Sequence, residues 1–181
     1  NGGINLSRNA LDAMRIEAML QNPSALLTNM KAQNLEMRAL LNGSFSNLRY
    51  QYLATAPQIA FGKSLFMGVR AEGKGQRDPG GWDIPIALSA NQLIGNGELA
   101  KRLASGFQSK SNFRFEQGLL FADNSFFQTD SLQGKADIEL QPATGDYAIL
   151  VDAQAPGFLI NGLGVTDILA SINLRPGANG L

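Results

Sequence analysis

One pattern constrains this chain more than any other: apolar and polar residues alternate with a period of two, in segment after segment. Met14, Ile16, Ala18 and Leu20 alternate with Arg15, Glu17, Met19 and Gln21, and Leu35, Met37, Ala39 and Leu41 with Glu36, Arg38 and Leu40. Trp82, Ile84, Ile86, Leu88 and Ala90 alternate with Asp83, Ala87, Ser89 and Asn91, and Ala136, Ile138 and Leu140 with Asp137, Glu139 and Gln141. The same phase runs through Tyr147, Ile149, Val151 and Ala153, and again through Ile168, Ala170, Ile172 and Leu174. Successive side chains leave a strand on opposite sides, so alternation of this kind marks strands with one face turned from water. The chain is therefore expected to be mainly β, a meander of antiparallel strands. About a dozen strands at ~4.8 Å spacing would span roughly 50–60 Å.

Turn chemistry falls between the segments. Asn22-Pro23-Ser24, Asn42-Gly43-Ser44, Asp78-Pro79-Gly80-Gly81, Pro142 to Asp146 and Pro156-Gly157 are the expected turns. Pro85 lacks an amide hydrogen, which predicts an edge position or a bulge for its strand. Leu99 and Leu103 stand four apart among good helix formers, predicting a short helix near 97–104. Residues Ala10 to Leu20 also fit an amphipathic helix; the alternation favours a strand over Met14–Leu20.

Composition narrows the chemistry. Of 181 residues, 44% are hydrophobic, enough for a folded chain, while only 17% are charged, below the usual quarter. Apolar residues in such a chain are hidden by strict patterning or face something other than water. Fifteen basic and fifteen acidic residues cancel, so no nucleic-acid partner is expected. With no Cys and no His, disulfides, thiol nucleophiles, Cys/His zinc sites and histidine-based triads are excluded. No apolar run approaches the ~20 residues of a membrane-spanning helix. The Asn1-Gly2-Gly3 start and the Arg175 to Leu181 end read as cut from something longer, which would place any anchor or leader outside this sequence. The expected organisation is one β-rich unit over 1–181, with a sub-boundary admissible near 75–81.

Catalytic constellations are poor. Asp123, Asp130, Asp137, Glu139, Asp146, Asp152 and Asp167 occupy turns or the polar phase of strands, where a solvated carboxylate is the default. Gly73-Lys74-Gly75 lacks the spacing of a phosphate loop, and Asp78 and Asp83 lack that of a calcium loop. The chain is expected not to be an enzyme, and to need neither cofactor nor metal. Phe107, Phe113, Phe115, Phe121, Phe126 and Phe127 gather within a short stretch, either as packed core or as a greasy wall.

Residues Ser131 to Gly180 carry a resemblance to a known family. Thr144-Gly145-Asp146-Tyr147, then Gly162-Leu163-Gly164-Val165-Thr166-Asp167, then Pro176-Gly177 resemble the strand, hairpin, strand and turn repeat of the TamB (translocation and assembly module) family and the wider AsmA-like group. The stretch Trp82 to Phe107 is similar as well, so the likeness covers roughly residues 80–181. It implies a long, curled, taco-like β-sheet forming an apolar groove, part of a periplasmic protein anchored in the inner membrane and reaching the outer membrane. It implies phospholipid acyl chains as cargo, a TamA-like outer-membrane barrel as partner, and a role in outer-membrane protein assembly.

Placing the apolar phase of each strand inside such a groove assigns Ile84, Ile86, Leu88, Phe113 and Phe115 to its lining. Ile138, Leu140, Tyr147, Ile149, Val151, Ile168, Ile172 and Leu174 join them on the same ground. Two rival readings share these residues: a sheet edge that takes up strands of unfolded outer-membrane proteins, and an inert β scaffold with a dry core. Open sheet edges also predict dimers of the isolated piece.

Overall fold

A computed structural model describes residues 2–21, 30–61, 64–94, 105–141, 143–144, 146–160 and 163–175. Among the described residues, the alternating segments and most of the less regular stretches between them become strands of one antiparallel sheet. In chain order these are β1 (Gly3–Asn5), a 3-10 turn (Leu6–Arg8), β2 (Ala10–Leu20), β3 (Met30–Gln33), β4 (Leu35–Ser44), β5 (Asn47–Phe61) and β6 (Ser64–Asp78). There follow β7 (Gly81–Ile94), β8 (Ser105–Glu116), β9 (Leu119–Gln128), β10 (Gln133–Gln141), β11 (Asp146–Ile160) and β12 (Leu163–Leu174). The 12-stranded sheet runs β1-β2-β4-β5-β6-β7-β8-β9-β10-β11-β12, with β3 pairing β5 beyond the end of β4. At ~4.8 Å per strand this meander spans roughly 50 Å. Its two ends do not pair with each other, so the sheet is curled and elongated but open.

Residues Ala10–Leu20 form strand, as the alternation indicates. The Asp78 hairpin falls where expected: Gly80 and Gly81 N–H donate to Asp78 Oδ1 at 2.8 and 3.2 Å. Two turns fall elsewhere. The β4–β5 turn is at Phe45-Ser46, because β4 continues through Asn42-Gly43-Ser44. Pro156-Gly157 is not a turn at all: β11 runs on to Ile160, with Gly157 in register with Thr166. The Asn22-Pro23-Ser24 turn and the helix expected at 97–104 lie outside the described residues.

Pro85 is neither at an edge nor at a register shift. Strand β7 lies between β6 and β8, and its ladder to β6 lapses between Glu72/Ala87 and Gln76/Asp83 with the register intact. A proline there removes a ladder donor. The lapse is patched from β5, one strand further on. Tyr50 Oη donates to Asp83 O at 2.7 Å and Tyr52 Oη to Pro85 O at 2.9 Å. Both side chains cross β6 where it carries Gly75 and Gly73, and a β-carbon on either glycine would collide with the tyrosine and with the same carbonyl.

Cα partners in an antiparallel pair share a face, so the registers sort every strand into an apolar and a polar side. Two bulges keep the sorting consistent. Near Ala13 (φ 44) the β2–β4 register shifts between Leu11/Gly43 and Met14/Leu41. At Asn124 (φ 51) an extra residue in β9 moves the register to both neighbours, and Asn124 N–H donates to Asp137 Oδ1 at 2.7 Å.

A third irregularity crosses several strands in line. Asn34 (φ 50), Pro57, Gly68 (φ 60), Asn91 and Gly106 (φ 66) fall in one row, where the ladders skip a step without changing offset. Asp130 continues the row, its N–H donating to Ser105 O at 2.9 Å while its carboxylate lies over Gly106. The row resets the phase of the faces. Strict alternation would turn Phe66 away from Val69, whose row partners lead through Ala90 to Phe107. Phe66 instead packs edge-on against Phe107, ring centroids 6.3 Å apart. Beyond the crease the buried residue is accordingly Ala32, partner of Ile59, while the next row holds Gln58, Met67, Gln92 and Ser105.

Candidate functional site

The site that emerges is a face rather than a pocket. Register carries the apolar phase from Ile84, Ile86 and Leu88 of β7 to Phe113 and, through Trp82, to Phe115 of β8. From there it passes through Leu120 and Ala122 of β9 to Leu140 and Ile138 of β10, then to Tyr147, Ile149 and Val151 of β11. Ile168 and Ile172 of β12 stand opposite Ala155 and Val151, and the backbone of Leu174 stands opposite Ile149. The residues assigned from sequence whose side chains are described thus fall on one side of one sheet.

Depth separates small residues from large ones on that side. Ala56, Ala90, Ala122 and Ala155 are 1–3% exposed, shaded by bulkier neighbours. Ile84, Ile86, Leu88, Phe113, Phe115, Ile138, Ile149 and Val151 are only half-buried, although all belong to interior strands. In a sandwich such side chains would interdigitate with a second layer and disappear from solvent. Among the described residues no helix or second sheet lies over them. The whole chain exposes 12283 Å², against roughly 8500 Å² for a compact monomer of this size.

The apolar face ends in an aromatic cluster that the sequence reading did not assign. Tyr50 stacks with Tyr52 at 6.3 Å and tilts against Trp82 at 5.8 Å. The Arg77 guanidinium sits 5.5 Å from the Trp82 ring centre and donates to Phe45 O, closing the corner near the β4–β5 turn. Burial, with Tyr52 and Asp83 adding in the same direction, pushes the Tyr50 hydroxyl up to about 12; burial also raises Tyr52. Both hydroxyls therefore stay protonated and able to donate. The signal for them was Tyr50, Tyr52, Ala54 and Ala56 at alternate positions, opposite the Gly73 and Gly75 spacing.

The opposite face is polar over most of its extent. Glu17 stands opposite Arg38, and Arg70 pairs with Glu72 at 2.6 Å. A concavity of about 760 Å³ between Arg15, Glu17, Arg38, Glu72, Lys74 and Lys110 is a gap between long solvated side chains. Of the phenylalanine cluster, Phe107, Phe113, Phe115 and Phe127 join the apolar face, while Phe121 and Phe126 project from the polar one. Arg114 lies 6.0 Å from the centre of Phe121. Among the described residues no group of acidic side chains is placed to hold a metal ion. No helix there is long and apolar enough to cross a membrane. No family model, no curated protein and no solved structure matches the chain.

Proposed function

We propose that the apolar face is a working surface for lipid: acyl chains lie along it while the polar face meets water, as part of phospholipid transfer between two membranes. The observation that carries this reading is the incomplete burial of Ile84, Ile86, Leu88, Ile138, Ile149 and Val151 on interior strands. Ordinary monomers rarely leave an apolar surface open over several strands, and such a surface marks an interaction site. A fully buried methylene gains ~0.8 kcal/mol, and one laid on an open face about half that. Charged groups are sparse on this side, so headgroups go unread and tails are free to slide. The likeness of residues 80–181 to TamB and AsmA-like proteins supports the same reading, with a periplasmic setting and a role beside outer-membrane assembly.

The test is native mass spectrometry with lipid extraction on the chain expressed in a bacterial periplasm. Phospholipid should copurify with the parent protein and be lost from Ile86→Arg and Ile149→Arg variants whose far-ultraviolet circular dichroism is unchanged. A lipid-free parent, or equal lipid in both variants, would overturn the reading.

A further inference from the structure

We propose that Arg77 is the phosphate anchor of the apolar face: a phospholipid rests its phosphodiester on the Arg77 guanidinium, at the Asp78 hairpin end of the sheet, and its tails run along the strands toward the crease. The proposal rests on the lipid reading above and adds to it a fixed point and a direction. Followed from strand to strand, the registers put every charged strand residue whose side chain is described into the polar phase, except Arg77. Arg77 stands opposite Leu48 on one side and Trp82 on the other, in the apolar row nearest the hairpin. It is partly buried there. The ion pairs formed among the described residues, Arg70 with Glu72 and Arg114 with Glu116, lie on the polar side and leave it out. Its chain neighbour Asp78 is committed to the Gly80 and Gly81 N–H groups.

A partly buried charge without a counter-charge is costly to keep. The corner contact to Phe45 O needs only one donor, which an uncharged amide would supply. A guanidinium carries five N–H groups in a rigid fork that matches a phosphate at two oxygens. Its surroundings are those of a lipid–water boundary: Trp82, Tyr50 and Tyr52 at the end of an apolar face, with a long cationic side chain reaching over the Trp82 ring at 5.5 Å. Length agrees as well. From Arg77 to Val69, beside the crease, β6 covers about 26 Å at ~3.3 Å per residue. The tails of one leaflet need ~15 Å, half of a ~30 Å hydrocarbon core. They fit between Arg77 and the crease, over Ile84, Ile86 and Leu88. The phosphodiester is common to all phospholipids, so headgroup substituents stay unread, and sliding stops only where the phosphate meets Arg77.

Trp82, the chain's single tryptophan, lies beneath the guanidinium and reports the position of a bound lipid. The probes are phosphatidylcholine brominated either near the ester or near the methyl end of its tails, and diacylglycerol with the same tails, all delivered from cyclodextrin. Bromine quenches indole only at short range. Ester-end bromines on phosphatidylcholine should quench Trp82 at least ~twofold more than methyl-end bromines, which come to lie about 15 Å down the face. Diacylglycerol should quench equally from both positions. So should phosphatidylcholine on Arg77→Gln, which keeps an N–H donor for Phe45 O. Inorganic phosphate alone should leave the emission unchanged. The contrast between the two lipids on the parent protein decides the matter even if Arg77→Gln fails to fold. Three results would overturn the anchor and leave the lipid reading standing: position-independent quenching by phosphatidylcholine, a positional contrast shared by diacylglycerol or kept by Arg77→Gln, or a saturating response to inorganic phosphate. No quenching by any lipid would overturn both.

Discussion

Adding a methyl group at Gly73 should destabilise this protein, which is the reverse of what glycine replacement does in an ordinary strand. In a strand whose backbone suits any residue, Gly→Ala restricts the unfolded chain and stabilises by ~0.4–1 kcal/mol. Gly73 has no left-handed backbone to forbid alanine. What forbids it is space: its β-carbon would meet Pro85 O, with Tyr52 Cε1 and Oη at 2.8 and 2.9 Å. Either the ring lifts, losing the 2.9 Å hydrogen bond to Pro85 O, or β6 moves away from β7 where their ladder has already lapsed. The first route costs a hydrogen bond, ~0.5–1.5 kcal/mol, plus up to ~1–3 kcal/mol if the carbonyl stays dry. Gly73→Ala should therefore cost about 2 kcal/mol, and Tyr52→Phe about 1 kcal/mol. Urea melts followed by the single tryptophan, Trp82, measure both. Gly3→Ala is the internal control, since its β-carbon would meet only Asp12 Cβ at 3.8 Å. A Gly73→Ala midpoint at or above the parent's, or a Tyr52→Phe midpoint equal to it, refutes the view that the tyrosines patch the break at Pro85.

Three further outcomes follow. Because folding raises the Tyr50 pKa from 10.0 to about 12, the folded state holds this proton more tightly; its stabilising effect is complete below pH ~10 and is lost as pH climbs through ~12. Alkaline melts should show that fall, shallower in Tyr50→Phe, and a tyrosinate titration of the folded parent should show at least one late-ionising hydroxyl. Ala122, 1% exposed, has no room for growth, so Ala122→Leu should cost ~1–3 kcal/mol, whereas Ala170→Leu on exposed β12 should be neutral in the same thermal melts. At the crease, Gly68→Ala should cost more than Gly118→Ala, since both have positive φ but only Gly68 meets the Asn91 side chain. Adding Asn91→Ala should recover ~0.5 kcal/mol or more in a double-mutant cycle, and strict additivity would show that the contact does not matter.

The legible part of the fold was the part where face and composition agree. β2, β4, β7, β10, β11 and β12 announce themselves by Ile, Leu, Val and Met at alternate positions. β6 does not, because its apolar-side positions include Ala71, Gly73, Gly75 and Arg77, and the smallness of the two glycines is required by tyrosines arriving from β5. Local sequence cannot report that requirement. Pro85 misled for the same reason, since the hydroxyls that compensate for it lie 33 residues away. Pro156-Gly157 misled differently: the pair reads as a turn, yet the partner β12 is long enough to hold both residues in register. Within the candidate site, the residues named from alternation share one face because a period of two is all that assignment needs. Tyr50, Tyr52 and Met14 were left unassigned, since neither the aromatic corner nor the reset of phase at Ala13 follows from any single segment.

Each irregularity in the sheet sits where it preserves the apolar face rather than the regularity of a strand. Without the extra residue in β9, Ala122 and Ser125 could not both lie inward beside Ile138 and Ala136. If the crease did not reset the phase, Phe66 and Ile59 would turn to the polar side, and Gln58 and Gln92 would come inward. Such correction is expected of a closed core, where a misplaced glutamine would be buried without a partner. Here, however, the large residues that benefit remain half-exposed, and water could solvate a polar substitute at little cost. An uncovered surface kept apolar across a crease, a proline break and two bulges is what the proposed lipid-bearing role requires, and the stability of the sheet beneath does not require it.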